Sequence, residues 1–181
     1  MPITVKALQK TSADAPFEVR TIERRDPRPD DVVIAIKAAG ICHSDIHTIR
    51  EEWGPVTYPL AVGHEIAGVV EAVGDAVTRV SVGDRVGVGC LVNSCGECEE
   101  CRNDQEQSCL KGNVGTYAST DVDGTTTQGG YSEKVVVNER DSTVTSAPRA
   151  AAIWTPMWPR PPRPSTATFC PSCTFHVASG E

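Results

Sequence analysis

The feature that most constrains this chain is a run of four cysteines, Cys95-x2-Cys98-x2-Cys101-x7-Cys109, within fifteen residues. Sulfurs this close on one loop can converge on a single ion, and soft thiolates suit tetrahedral zinc at about 2.3 Å. All four positions are filled, so the ion would be structural, because catalysis needs a position left for water or substrate. An iron–sulfur cluster is the alternative, but bacterial cluster runs place the fourth cysteine after three residues and follow it with proline. Here the gap is seven and Leu110 follows. Disulfides or free thiols are the third option. Met1 to Lys10 holds no apolar signal region, which argues against a secreted disulfide framework and makes the cytoplasm the expected compartment.

The chain has 181 residues and a formal net charge of −7. That balance excludes a basic nucleic-acid binder, and no stretch approaches the roughly 20 apolar residues of a membrane span. Composition changes near residue 142. The last forty residues hold one of the 24 acids, three of the 17 basic residues and seven of the 13 prolines. Trp158 to Pro164 reads Trp-Pro-Arg-Pro-Pro-Arg-Pro, which blocks helix and central strand alike. Residues 1–141 are therefore read as the folded domain and 142–181 as an irregular tail.

Short β-rich runs bounded by turn residues dominate the domain: Asp31–Ala39, Ile66–Val73, Arg85–Val88 and Lys134–Val137. They predict a mainly β barrel or sandwich. Ser44–Glu51 alone reads as helix, with Ile46 and Ile49 three apart.

A second, looser constellation joins Cys42 to Gly63-His64-Glu65. A thiolate and an imidazole brought together by two loops supply two ligands of an open zinc site, with Glu65 as third donor or supporting carboxylate. Taken alone, a buried Cys42 and an ordinary surface histidine pair is the favoured reading of these residues.

Features in order carry a family resemblance: Cys42; Gly63-His64-Glu65-x2-Gly68-x5-Gly74-x2-Val77; Gly83-Asp84-Arg85-Val86; and the four-cysteine lobe. Over about residues 3–141 the chain resembles the zinc-containing medium-chain alcohol dehydrogenases. The wording of Gly40–His47, Glu52-Trp53-Gly54, Tyr58-Pro59 and Gly129-Gly130-Tyr131-Ser132 is most similar to their cinnamyl-alcohol-dehydrogenase-like, NADP-dependent branch. The resemblance implies a GroES-like β-barrel with short helices and a zinc lobe at about 90–115. It also implies one catalytic zinc on Cys42, His64 and, transiently, Glu65, and one structural zinc on Cys95, Cys98, Cys101 and Cys109.

Further roles follow from the same resemblance. Asp45 would accept a hydrogen bond from the His64 imidazole and fix its tautomer, Ser44 and His47 would relay the alcohol proton to solvent, and His43 and Ser44 would contact the nicotinamide cofactor. Each has a plainer reading: Asp45 as an acid at a helix start, Ser44 as the helix N-cap, His47 as a solvated histidine. Trp53 could line a substrate pocket or be core, and Cys90 reads as a small buried residue at a strand end. Cys170, Cys173 and His176 in the tail are assigned to no site.

The implied reaction is reversible hydride transfer between NADP or NAD and a small primary alcohol or aldehyde, with neither nucleic acid nor membrane as partner and a homo-oligomer left open. Two parts of such an enzyme have no counterpart here: the third zinc-ligating cysteine beyond the barrel, and a Rossmann domain with its Gly-x-Gly-x-x-Gly turn. The chain is thus expected to be a catalytic half with no turnover by itself, the alternative being a non-catalytic fragment holding only the structural zinc. Read one base earlier, the codons of Ile153–Pro159 yield a stretch resembling the family's next helix, so the tail is expected to be out of frame.

Overall fold

In the computed structural model, which describes residues 2–139 and the backbone of residues 145–146, the β-branched runs become antiparallel ladders. β1 (Ile3–Gln9) and β2 (Glu18–Arg24) form a hairpin, with Ile3 opposite Arg24 and Gln9 opposite Glu18. The main sheet has five strands: β3 (Asp31–Gly40), β4 (Glu65–Val73), β5 (Arg85–Val88), β8 (Lys134–Asn138) and β9 (Thr145–Ser146). Their spatial order is β8-β3-β4-β5-β9. β6 (Leu91–Asn93) and β7 (Val114–Gly115) pair on either side of the cysteine run.

The four expected strands are all present, three of them one residue longer than the apolar pattern. The β1–β2 hairpin was not legible, because β2 buries only Ile22 and Arg24 and carries exposed polar or charged residues at most other positions. β4 buries Ile66, Gly68 and Val70 in alternation. A side chain at Gly68 would sit 2.5 Å from Ile34 Cγ2 and 2.6 Å from the Ala35 carbonyl, so glycine is what lets β3 and β4 approach. Val32, Ile34, Val70, Val135 and Val137 form the centre of the core.

The helix, α1, spans His43–Ile49 and is shorter than the sequence reading. It stops there because Glu51 takes a left-handed conformation, φ 58°. Its N-cap is Cys42, not Ser44, and Asp45 at the third helical position accepts a hydrogen bond from the Cys42 N–H at 3.0 Å. A second short helix, α2 (Glu99–Arg102), lies inside the cysteine run.

Charged residues tie the segment after the lobe to the main sheet. Arg25 pairs with buried Asp31 and, through Nε at 2.8 Å, with Asp121, while Arg28 reaches Asp123 at 3.2 Å. Buried Arg24 donates to the carbonyls of Gln128, Gly129 (2.8 Å) and Lys134 (2.9 Å) and to Ser132 Oγ (2.6 Å). Burial lowers its pKa to about 10.

Among the described residues no helix is long and apolar enough to cross a membrane. The strand at Thr145–Ser146, paired with Val86 and Gly87 of β5, places regular structure where the sequence predicts an irregular tail. The remainder of that tail, with Cys170, Cys173, His176 and the out-of-frame reading, lies outside the described residues.

Candidate metal centres

The lobe's sulfurs converge: Cys95, Cys98, Cys101 and Cys109 each place Sγ within 4.8 Å of the other three. Local backbone geometry brings this about. The N–H of Cys98 donates to Cys95 Sγ at 3.4 Å, that of Cys101 to Cys98 Sγ at 3.5 Å, and that of Cys95 to Cys109 Sγ at 3.5 Å. Cys95 and Cys101 sulfurs lie 3.8 Å apart, matching the roughly 3.8 Å edge of a tetrahedron with 2.3 Å metal–sulfur bonds. A disulfide would need about 2.05 Å, and all four are free thiols.

Their acidities diverge in the way a crowded thiol cluster requires. Donation from the Cys101 and then the Leu110 N–H holds the Cys98 thiol down to about 6. The Cys95 N–H lowers Cys109 in the same way. Contact with Ser94 pulls Cys101 down, yet burial and the neighbouring Cys98 and Cys109 sulfurs push it up to about 11. Four thiolates so close repel one another until a cation joins them.

The second cluster comes from three elements. Cys42 caps α1, while His64 and Glu65 sit where the preceding loop enters β4, and their ligand atoms also lie within 4.8 Å of one another. One buried carboxylate organises them. Asp45 Oδ2 accepts the Cys42 N–H at 3.0 Å and the Tyr131 hydroxyl at 2.9 Å, and Oδ1 accepts the Gly63 N–H at 3.1 Å. The His64 Nδ1 is 3.6 Å from Asp45 Oδ1, beyond hydrogen-bonding range, and meets the Tyr117 hydroxyl instead at 3.2 Å. Sequence reasoning reached Asp45 as partner of the imidazole and missed both tyrosines. Tyr131 belongs to the Gly129-Gly130-Tyr131-Ser132 run, which by itself assigns it no role, and Tyr117 sits in a loop that carries no local signal. Burial, with Asp45 as a further cause, raises both phenols, Tyr117 up to about 12.

Gly63 explains how the loop closes. Its φ is +102°, and a side chain there would stand 2.7 Å from Tyr131 Cδ1. Ser44 lies in the first turn of α1 with its Oγ buried and without a hydrogen-bond partner. His47 pairs through Nδ1 with Glu52 and stacks on Trp53 at 4.9 Å, and the His43 ring stands 4.6 Å from it on the other turn. Trp53 is exposed, so it is not core. Cys90 is also exposed rather than buried, because it falls in the connection between β5 and β6, outside the strand alternation. Partial desolvation of its sulfur, and then the nearby Cys42, raise its pKa.

A family model described as the alcohol dehydrogenase GroES-like domain matches residues 28–149. The chain belongs to this family. The match to the GroES-like domain continues past residue 141, in keeping with the strand at Thr145–Ser146. Among curated relatives, a probable formaldehyde dehydrogenase AdhA from Bacillus subtilis is 60% identical over 135 residues, 75% of this chain and 39% of that protein. A probable cinnamyl alcohol dehydrogenase 3 from Oryza sativa is 60% identical over 119 residues, 66% of this chain and 32% of that protein. The crystal structure of CAD from Helicobacter pylori complexed with NADP(H) superposes with a TM-score of 0.76 at 43% identity, covering 81% of this chain and 42% of that one. This GroES-like chain thus spans about two-fifths or less of the length of those relatives.

Proposed function

We propose that this chain supplies the catalytic domain of a zinc-dependent alcohol dehydrogenase or aldehyde reductase that exchanges a hydride between NADP(H) or NAD(H) and a primary alcohol or aldehyde. The observation that carries this reading is the convergence of Cys42, His64 and Glu65 at the start of a helix bearing Ser44 and His47. Sulfur, nitrogen and oxygen donors in a set of three fit zinc with a position left for substrate, whereas the four lobe thiols fit a closed structural ion. When bound, the catalytic ion supplies Lewis acidity toward the substrate oxygen. The NADP(H) in the Helicobacter pylori relative favours NADP over NAD.

The chain's own residues then move the proton. Ser44 Oγ takes the substrate hydroxyl proton as it passes its own to His47. Glu52 occupies Nδ1 of that ring, so Nε2 is the atom left to receive the proton. The ring is partly open to water, where the proton leaves. His43, one turn back, offers a second imidazole for a cofactor phosphate. In the complete dehydrogenase that this domain would serve, replacing His47 by glutamine is expected to slow turnover of an aldehyde with NADPH by on the order of 10²-fold near neutral pH. Added imidazole buffer should restore much of the loss, and a rate indifferent to that buffer would remove His47 from the relay.

The deciding experiment is a native mass spectrum of the protein from its own cells. Two zinc ions per chain support the reading. One zinc, retained by a Cys42→Ser variant, means a zinc-binding fragment without a catalytic centre, and a visibly coloured protein means an iron–sulfur cluster in the lobe.

A further inference from the structure

We infer that Tyr117 and Tyr131 are positioning residues for the Cys42–His64–Glu65 centre, acting through the ring of His64 and the carboxylate of Asp45. The inference rests on reading those three residues as a metal centre. Asp45 is almost wholly buried and spans both ligand-bearing loops, because it accepts the N–H of Cys42 on one side and that of Gly63, next to His64, on the other. A carboxylate in that place swings unless its remaining acceptor directions are filled. The Tyr131 hydroxyl fills one at 2.9 Å, and its ring lies against the bare backbone of Gly63. The phenol therefore fixes both the carboxylate it bonds and the loop it covers.

Tyr117 acts on the ring itself. With hydrogen on Nδ1, His64 donates to the Tyr117 hydroxyl at 3.2 Å, which leaves the Nε2 lone pair as the metal-binding atom. The rings of His64 and Tyr117 also lie 5.7 Å apart with planes 30° from parallel, so the phenol restrains ring tilt as well as tautomer. The two tyrosines come from different segments, one after the lobe and one before β8. Both contacts are non-local, so neither loop orients its ligand unaided.

The test is a cobalt(II) titration of the full metal-free chain and of Tyr117→Phe, Tyr131→Phe and Tyr58→Phe. Cobalt colours both centres, and the four-thiolate lobe serves as an internal check of folding. Tyr58 packs against the same apolar cluster as Tyr117 and Tyr131 but donates its hydroxyl to the Ile49 carbonyl at 2.9 Å rather than to a candidate ligand or Asp45, and controls for loss of a phenol. The expected result is that the second cobalt binds roughly 10-fold or more weakly to Tyr117→Phe and Tyr131→Phe, with its visible band shifted. The lobe band and the behaviour of Tyr58→Phe should match the unsubstituted protein. Unchanged second-site affinity and band in both variants would overturn the inference, as would an equal loss in Tyr58→Phe. An unsubstituted chain that takes up only one cobalt would instead overturn the metal-centre reading, and this inference with it. Should one phenylalanine variant fail to colour the lobe, the other decides.

Discussion

Replacing Cys101 by serine is expected to strip the lobe of its metal and to unfold residues 95–113 while the five-stranded sheet survives. Thiolate zinc sites contribute about 10–16 kcal/mol of apparent binding energy to the structure around them. Little else holds this loop, since its regular structure is a four-residue helix and one 3-10 turn. Cys101 is the least exposed of the four ligands, and serine offers a poor donor for a soft tetrahedral site. Zinc content should fall by one ion per chain. Amide exchange should become fast across 95–113, while Val135–Val137 and Val32–Ile34 stay protected by the main sheet. Full protection of the lobe in the absence of metal would show that the loop holds itself and that the ion is not structural.

Arg24→Met should cost about 3 kcal/mol or more in urea unfolding. Arg24 is 7% exposed, and its guanidinium donates to three backbone carbonyls, of which Gly129 and Lys134 share the single Ser132 hydroxyl as another donor in reach, at 3.0 and 3.1 Å. Methionine keeps much of the volume but strands the Gln128 carbonyl and one of the two that share Ser132, at roughly 1–3 kcal/mol each, less what water recovers. The consequence reaches the site, because Gln128, Gly129 and Lys134 flank Tyr131. The same variant should therefore also weaken metal binding at the proposed Cys42–His64–Glu65 centre. A change under 1 kcal/mol would mean that water enters and replaces the guanidinium.

The accuracy of the sequence reading follows how local each signal is. The lobe was legible because four ligands within fifteen residues need only short-range turns to meet. β3, β4, β5 and β8 were legible because their apolar runs are bounded by glycine and aspartate. The β1–β2 hairpin was hidden because most of β2 faces water, which removes the apolar alternation that marks a half-buried strand. α1 ended early because Glu51 turned left-handed, a choice no propensity announces. Cys90 looked buried by residue type alone, and the connection that holds it exposes it.

What the chain determined by itself was its set of donors: which residues bring sulfur, nitrogen and oxygen, and the spacing that closes one set into a ring. What only the tertiary structure decided was who holds those donors in place. The nearest partner of His64 Nδ1 is Tyr117, 53 positions away, and the Asp45 carboxylate is tied by Tyr131, 86 positions away. Side chains so distant in sequence leave no periodic or spacing signal, since their contact is set by how two loops pack over the end of a sheet. Donor identity is thus a property of local sequence, and donor orientation a property of long-range packing.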